Sequence, residues 1–124
     1  MEKNQRLFVY GTLKKGQYFH EKYLGNEIGN FMGAGFASPD YSLYVGAQPH
    51  LIREHSEHPV RGELYEISLD TLKSIDDLEG HPIVYKREII EVFTELGEKT
   101  LAWAYLRHPN FRDKINCFKE TEYI

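Results

Sequence analysis

Near its N-terminus the chain reads Leu7-Phe8-Val9-Tyr10-Gly11-Thr12-Leu13-Lys14-Lys15-Gly16. The four consecutive apolar residues at positions 7–10 indicate a short strand that is covered on both faces. Gly11 and Gly16 then mark a turn in which backbone N–H groups lack partners in a ladder of strands. Such amides can form a small cradle for an anion or an oxyanion. A tight turn after an edge strand is the alternative interpretation of the same residues.

The composition is that of one globular domain. A chain of 124 residues, 41% of them apolar and 27% charged, can build one hydrophobic core and has no room for two. We therefore expect a single domain over residues 1–124, with a loosely packed polar tail at residues 109–124. Aromatic residues make up 14% of the chain, which is typical of strands and of pockets lined by rings.

Net charge and cysteine content indicate which partners and which cellular location to expect. The net charge of −4 provides no global basic field for nucleic acid. No apolar run reaches the length of a membrane span, and the charged N-terminus does not resemble a signal peptide. Cys117 is the only cysteine, so an internal disulfide is impossible and a reducing cytoplasm is the simplest location. We expect a cytoplasmic protein without nucleic-acid or membrane partners, either a monomer or a weak homodimer.

The remaining pattern predicts more strand than helix. Residues 60–67 and the hairpin formed by residues 83–94 and 100–107 have strand patterns, and the glycine-rich residues 27–47 indicate irregular or bulged strands. Residues 18–24 are compatible with one or two helical turns. Sequential hairpins covered by one or two helices define an α+β fold with largely antiparallel pairing.

Glu79 is the candidate acid–base group. Ser68 is suited to cap the start of a helix, and Gly80 to end it directly after Glu79. The negative end of the helix dipole, the nearby Asp76 and Asp77, and any burial all disfavour an ionised Glu79 and raise its pKa. A carboxyl group with a raised pKa suits general acid–base catalysis. An exposed acidic helix end is the alternative.

Together, two of these segments resemble a known family. Tyr10-Gly11-Thr12-Leu13 and the Asp-x-x-Glu-Gly with its following Tyr-x-Arg at residues 76–87 match, residue by residue, motifs of the γ-glutamylcyclotransferase-like family. The likeness is closest to its γ-glutamylaminecyclotransferase branch, and the aromatic strand at residues 102–107 is a weaker third match. The resemblance implies a small mixed β-barrel with helices packed outside.

The resemblance also implies an activity. Members of the family convert a γ-glutamyl amine or γ-glutamyl amino acid to 5-oxoproline and release the free amine, without a cofactor. In this chain Glu79 would be the catalytic base. Gly11, Thr12 and Leu13 would supply amides, and Thr12 a hydroxyl, to the substrate carboxylate or to the oxyanion. Residues 33–59 match no family motif, so the leaving amine stays open.

Four further side chains are candidates for substrate binding. Tyr10 can offer its ring or phenol to a pocket, and Tyr85 and Tyr105 can do the same, although packing in the core explains both equally well. Arg87 is able to clamp a carboxylate with two hydrogen bonds. A surface ion pair with a neighbouring glutamate is the alternative for Arg87.

A metal site is not expected. His50, His55 and His58 lie close in sequence, but no cysteine or standard zinc spacing accompanies them. We interpret all three as solvated loop histidines. The alternative to an enzyme is a non-catalytic domain that keeps the fold and binds a small ligand or a partner.

Overall fold

The structure is a computed structural model, which describes residues 2–124. Within these residues it has eight strands, two α-helices and one short 3₁₀ helix at Arg112–Asn116. The strands are β1 (Gln5–Val9), β2 (Asn30–Ala37), β3 (Tyr41–Val45), β4 (Pro49–Arg53), β5 (Arg61–Ile67), β6 (Lys86–Thr94), β7 (Lys99–Leu106) and β8 (Phe118–Glu120). The α-helices are α1 (His20–Leu24) and α2 (Leu69–Glu79), and no described helix is long and apolar enough to cross a membrane.

Five of the strands close into a barrel. Their order is β1-β5-β2-β6-β7, and β7 returns to β1 through a parallel bridge between Leu7 and Trp103. The other pairs in the barrel are antiparallel. Strands β4, β3 and β8 extend the sheet beyond β7, starting from a parallel bridge between Leu51 and Leu106. The predicted α+β class, a small and largely antiparallel barrel with short covering helices, is confirmed.

Strand β1 lies between two parts of the core. Phe8 and Tyr10 pack in a cluster built from strand residues and the chain around them, whereas Leu7 and Val9 pack in a second cluster that joins the sheet to both helices. All four are at most 7% exposed. Full burial of such side chains contributes roughly 1.5–3 kcal/mol each. The strand is therefore covered on both faces, as predicted, and the bend that follows it is held firmly.

Strand β2 and the β6–β7 hairpin agree with the sequence prediction, except for the residue at which β6 begins. Strand β2 lies in the glycine-rich region and shifts its register against β5 between Phe31 and Gly33, which is the expected bulge. The hairpin of β6 and β7 is present, but β6 begins at Lys86 rather than at residue 83. Residues 83–85 instead form part of the turn that follows α2.

Helix α2 begins directly after its N-cap residue, Ser68. The Ser68 hydroxyl accepts a hydrogen bond from the Thr71 amide at 3.1 Å, as an N-cap does. Leu72 and Ile75 are buried against the barrel, while Leu69 at the exposed start of the helix remains 46% exposed. Because Leu72 and Ile75 anchor the helix on the barrel, the position of its last residue, Glu79, is fixed as well.

Helix α2 ends in a left-handed glycine cap. Gly80 has φ 67° and ψ 35°, its amide donates to the Asp77 carbonyl, and the His81 amide donates to the Asp76 carbonyl at 3.0 Å. This pair of bonds is the Schellman arrangement. It turns the chain sharply, so that Glu79 is the last residue of the helix.

We expect Gly80→Ala to destabilise the protein more than Gly97→Ala. Both positions have a positive φ, 67° and 81°, which costs an alanine about 1 kcal/mol. At Gly97 a Cβ meets nothing within 4 Å, but at Gly80 it would lie 2.9 Å from Val84 Cγ2. The added overlap brings the expected loss for Gly80→Ala to about 3 kcal/mol. Urea unfolding of both variants measures the difference, and equal losses would contradict this reading of the cap.

The C-terminal segment is tied to the sheet by backbone hydrogen bonds, although most of its side chains after Phe111 are exposed. Strand β8 pairs with β3, and the Arg61 amide donates to the Thr121 carbonyl at 2.8 Å. Phe111 is buried, and the Lys14 ammonium donates to the Tyr123 carbonyl at 2.6 Å. Sequence polarity gives no sign of this attachment, because it depends on backbone hydrogen bonds, which any sequence can make.

Candidate active site

Glu79 at the end of α2 and the bend after β1 line one cavity of about 260 Å³. Seven of the eight predicted site residues meet there, and Arg87 does not. The lining residues are Phe8, Val9, Tyr10, Gly11, Thr12, Leu13, Phe19, Gln48, Pro49, Leu78, Glu79, Tyr85 and Tyr105. Apolar and aromatic side chains thus surround one carboxyl group and one exposed stretch of backbone, which is the usual make-up of a small-molecule site.

Glu79 is partly buried, and burial raises its pKa to about 7. The predicted direction is correct, but the predicted contribution of neighbouring acids is not. The Asp76 carboxylate is paired with Arg87 and the Asp77 side chain is exposed, so burial is what disfavours the charge on Glu79. Near neutral pH both protonation states of Glu79 are populated, which allows it to accept a proton and to return it.

The backbone of the bend is held through its carbonyl groups. The oxygens of Gly11, Thr12 and Leu13 accept hydrogen bonds, in that order, from Lys14 N at 3.0 Å, Phe19 N at 2.9 Å and His20 Nδ1 at 3.0 Å. In a trans peptide the N–H points opposite to the C=O. Holding the Gly11 and Thr12 carbonyls therefore also fixes the direction of the Thr12 and Leu13 amides. Within residues 2–124 no acceptor is paired with the amides of Gly11, Thr12 or Leu13.

Gly11 is required by packing as well as by the cavity. A Cβ at this position would lie 2.5 Å from Pro49 Cγ, and Pro49 is buried at the start of β4. Only a residue without a side chain lets the bend approach β4 so closely. The glycine in this motif therefore sets the distance between two walls of the cavity.

Two of the tyrosines have structural hydrogen bonds. The Tyr10 hydroxyl donates to the Tyr105 carbonyl at 2.7 Å, and the Tyr105 hydroxyl donates to Asp76 Oδ1 at 2.7 Å. Burial raises the pKa of both phenols, so they stay protonated as donors. Tyr105 packs in the core and also lines the cavity, so its contact with substrate stays a prediction.

Tyr85 forms a pair with His50. Its hydroxyl is 2.7 Å from His50 Nδ1, and the two rings stack with centroids 5.7 Å apart. Burial, and then the nearby Arg107, lower the pKa of His50. His55 and His58 are exposed as expected, but His50 is partly buried against Tyr85 and is not a solvated histidine. Among the described residues no group of three or more His, Cys, Asp or Glu side chains could hold a metal ion.

Arg87 lies outside the cavity and is already occupied. Its Nε and Nη2 donate to the two carboxylate oxygens of Asp76 at 2.7 and 3.0 Å. The guanidinium also lies over the Trp103 ring, 4.2 Å from the centroid. Arg87 therefore does not line the cavity where the other candidates meet, and its ion pair is with Asp76 of α2 rather than with a strand glutamate.

Six lining residues were not predicted as site residues: Phe8, Val9, Phe19, Gln48, Pro49 and Leu78. Phe8 and Val9 belong to the strand that was predicted directly before the bend. Leu78 carried a signal, because it is an apolar position of the helix directly before Glu79. Phe19 precedes α1 within the segment predicted to be helical. Gln48 and Pro49 lie in the region without a family motif, and only the tertiary fold brings them to the site.

The fold and site define a class of protein: a closed five-stranded barrel in which a partly buried carboxyl group and a bend of unpartnered amides line one cavity. A model of the family described as "Gamma-glutamyl cyclotransferase, AIG2-like" matches residues 7–123. The chain therefore belongs to this family, and the resemblance seen in its motifs is confirmed.

Individual relatives agree with this assignment. Gamma-glutamylaminecyclotransferase of Rattus norvegicus is 33% identical over 118 residues, which cover 90% of this chain and 74% of the rat protein. A protein of Methanocaldococcus jannaschii, provisionally named a gamma-glutamylcyclotransferase, is 39% identical over 99 residues, covering 80% of this chain and 81% of that protein. The crystal structure of an AIG2-like protein from Mus musculus superposes with a TM-score of 0.84 at 28% identity, covering 97% of this chain and 88% of that one.

Proposed function

We propose that this protein cyclises γ-glutamyl compounds to 5-oxoproline. In this reaction the α-amine of the substrate attacks its own γ-carbonyl carbon, a lactam C–N bond forms, and the γ-amide bond breaks to release the free amine. The observation that carries the proposal is the shared cavity: Glu79 and the amides of the bend line the same small space. Membership of the family supports the same reaction class.

Glu79 would manage the protons. The substrate α-ammonium must lose a proton before its nitrogen can attack, and the ionised Glu79 accepts that proton. After the ring closes, the protonated Glu79 donates to the nitrogen of the leaving amine as the γ-amide bond breaks. A carboxyl group whose pKa is about 7 can perform both transfers at neutral pH.

The bend would receive negative charge. No lysine or arginine is among the cavity-lining residues of the described chain. The amides of Gly11, Thr12 and Leu13 are then the donors for the substrate α-carboxylate or for the oxyanion on the γ-carbonyl. Holding the amine against the carbonyl in a folded conformation reduces the entropic barrier, by roughly 7–11 kcal/mol at the extreme.

The leaving amine would lie toward Gln48 and Pro49, which come from the region without a family motif. The name of the rat relative points to γ-glutamyl amines as the first compounds to test. A Glu79 directed away from the bend, in a site without a cavity, would have favoured the non-catalytic alternative. The observed cavity supports the enzymatic function instead.

The test is an assay of the purified chain on a panel of γ-glutamyl amines and γ-glutamyl amino acids, with 5-oxoproline and free amine both quantified. We expect equal amounts of the two products from at least one compound. The matched control is the same compound with an acetylated α-nitrogen, which cannot attack and should release nothing. Release of amine together with glutamate, or no turnover of any compound, would contradict the proposal.

A further inference from the structure

A largely buried ion pair joins α2 to β6 close in sequence to Glu79. Asp76 is three residues before Glu79 on α2, and its side chain is 15% exposed, while that of its partner Arg87 is 17% exposed. Arg87 approaches with both Nε and Nη2, the two-pronged geometry that fixes direction as well as distance. Although burial raises the pKa of Asp76, hydrogen bonds from Arg87 and Tyr105 outweigh it and lower that pKa, so Asp76 is ionised at neutral pH.

The pair connects the elements around the cavity. Asp76 Oδ1 also accepts from the Tyr105 hydroxyl on β7, and Arg87 on β6 stacks over Trp103 on β7. The Arg87 amide donates to His81 Nδ1 at 2.9 Å, in the turn directly after α2. The end of α2, its following turn and the β6–β7 hairpin are thus joined at this pair.

Charge is the second consequence of this geometry. Side chains three residues apart on a helix are neighbours, so an unpaired Asp76 carboxylate would repel a negative Glu79. Arg87 cancels that charge. An unpaired Arg87 would have the opposite effect and would favour the ionised form of Glu79.

We propose that the Asp76–Arg87 pair is the positioning element of the site, which holds Glu79 at the cavity and keeps its proton exchange independent of the Asp76 charge. This inference rests on the proposed function for its kinetic meaning. It assigns no substrate contact to either residue: both act through Glu79.

Other titratable groups lie around Glu79 besides the pair. Asp77 on the same helix is exposed, and His81 in the following turn accepts the Arg87 amide through Nδ1. Tyr10 from the bend, Tyr85 from the turn before β6 and Tyr105 from β7 are phenols, and burial raises the pKa of each. Arg107 lies over the Tyr85 ring at 5.5 Å and does not line the cavity. His50 is behind Tyr85, and burial lowers its pKa, so it is neutral near pH 7.

The test uses Arg87→Met, Asp76→Asn and the double variant. We expect the midpoint of the Glu79 titration to rise by about one unit in Arg87→Met, to fall by about one unit in Asp76→Asn, and to return to the wild-type value in the double variant. The midpoint is measured by carbon NMR of the Glu79 carboxyl in labelled protein. The acidic limb of kcat/KM for 5-oxoproline formation should move in the same directions.

Loosened packing alone cannot shift the Glu79 midpoint in opposite directions in the two single variants and leave it unchanged in the double variant. Three variants that all lose activity while the Glu79 midpoint stays fixed, or shifts of one sign in both single variants, would overturn the inference. If Arg87→Met does not fold, Asp76→Asn decides, because its expected shift has a definite sign. The NMR titration needs no turnover, so the absence of 5-oxoproline formation would refute the proposed function without deciding this inference.

Discussion

Glu79→Gln is expected to lower kcat/KM for 5-oxoproline formation by about 10²–10⁴-fold, because an amide cannot accept the proton of the α-ammonium. Gln fills nearly the same space, so substrate affinity should change little and the loss should appear in kcat. The measurement is a steady-state assay with the best γ-glutamyl substrate of the panel, at saturating and limiting concentrations.

The matched control is Asp77→Asn. This change removes the same charge from the same end of α2, but the Asp77 side chain is exposed and does not line the cavity. We expect activity within about twofold of wild type, since an exposed position has no access to the substrate. Equal losses in both variants, or full activity in Glu79→Gln, would remove Glu79 from its proposed role.

Glu79→Gln is also expected to stabilise the protein at alkaline pH. The pKa of Glu79 is about 7 in the fold against 4.5 without it, so the folded state holds a proton more tightly than the unfolded state. Below pH 4.5 the group is protonated in both states and imposes no cost. Stability then falls as pH rises from 4.5 to 7, and above that range the full cost of about 3 kcal/mol is present.

Gln is neutral at every pH and avoids this cost. The free energy of unfolding of Glu79→Gln should therefore exceed that of wild type by up to about 3 kcal/mol at pH 8, and the two should nearly coincide at pH 4. Urea unfolding at the two pH values measures the difference. A variant that is equally stable or less stable than wild type at pH 8 would show that burial does not strain the Glu79 charge.

These two expectations have one physical origin. Removing the Glu79 carboxyl from water provides a base that works near neutral pH, and it also leaves a charge that the fold stabilises poorly. Functional sites commonly sacrifice stability in this way. A variant that gains stability at pH 8 while losing turnover would link the two properties at one side chain.

Local patterns were sufficient for the elements that carry the site. Four apolar residues before Gly11 specify a strand covered on both faces, and Ser68 and Gly80 specify the limits of α2, because caps and short strands depend on near neighbours. The β6–β7 hairpin follows from the same kind of signal. These segments also contain the family motifs, so Glu79 and the bend could be proposed together.

Contacts between distant segments could not be read in the same way. Burial of Glu79, which raises its pKa, depends on the whole wall of the cavity, and the pairing of Arg87 with Asp76 depends on how the hairpin packs against α2. The sequence pattern predicted His50 to be a solvated loop residue. It contacts Tyr85 because β4 pairs beside β7. Such contacts are set by tertiary packing, which overrides local preference.

A crystal structure of the Glu79→Gln variant with an intact γ-glutamyl amine bound would show whether Glu79 and the bend hold one substrate between them. We predict that the glutamyl moiety occupies the cavity with its α-nitrogen within hydrogen-bond distance of the residue 79 side chain, and that an oxygen of its carboxylate or γ-carbonyl accepts from the amides of Gly11, Thr12 or Leu13. A ligand bound elsewhere on the protein, or one seated in the cavity with its α-nitrogen directed away from residue 79, would show that Glu79 is not the base of this reaction.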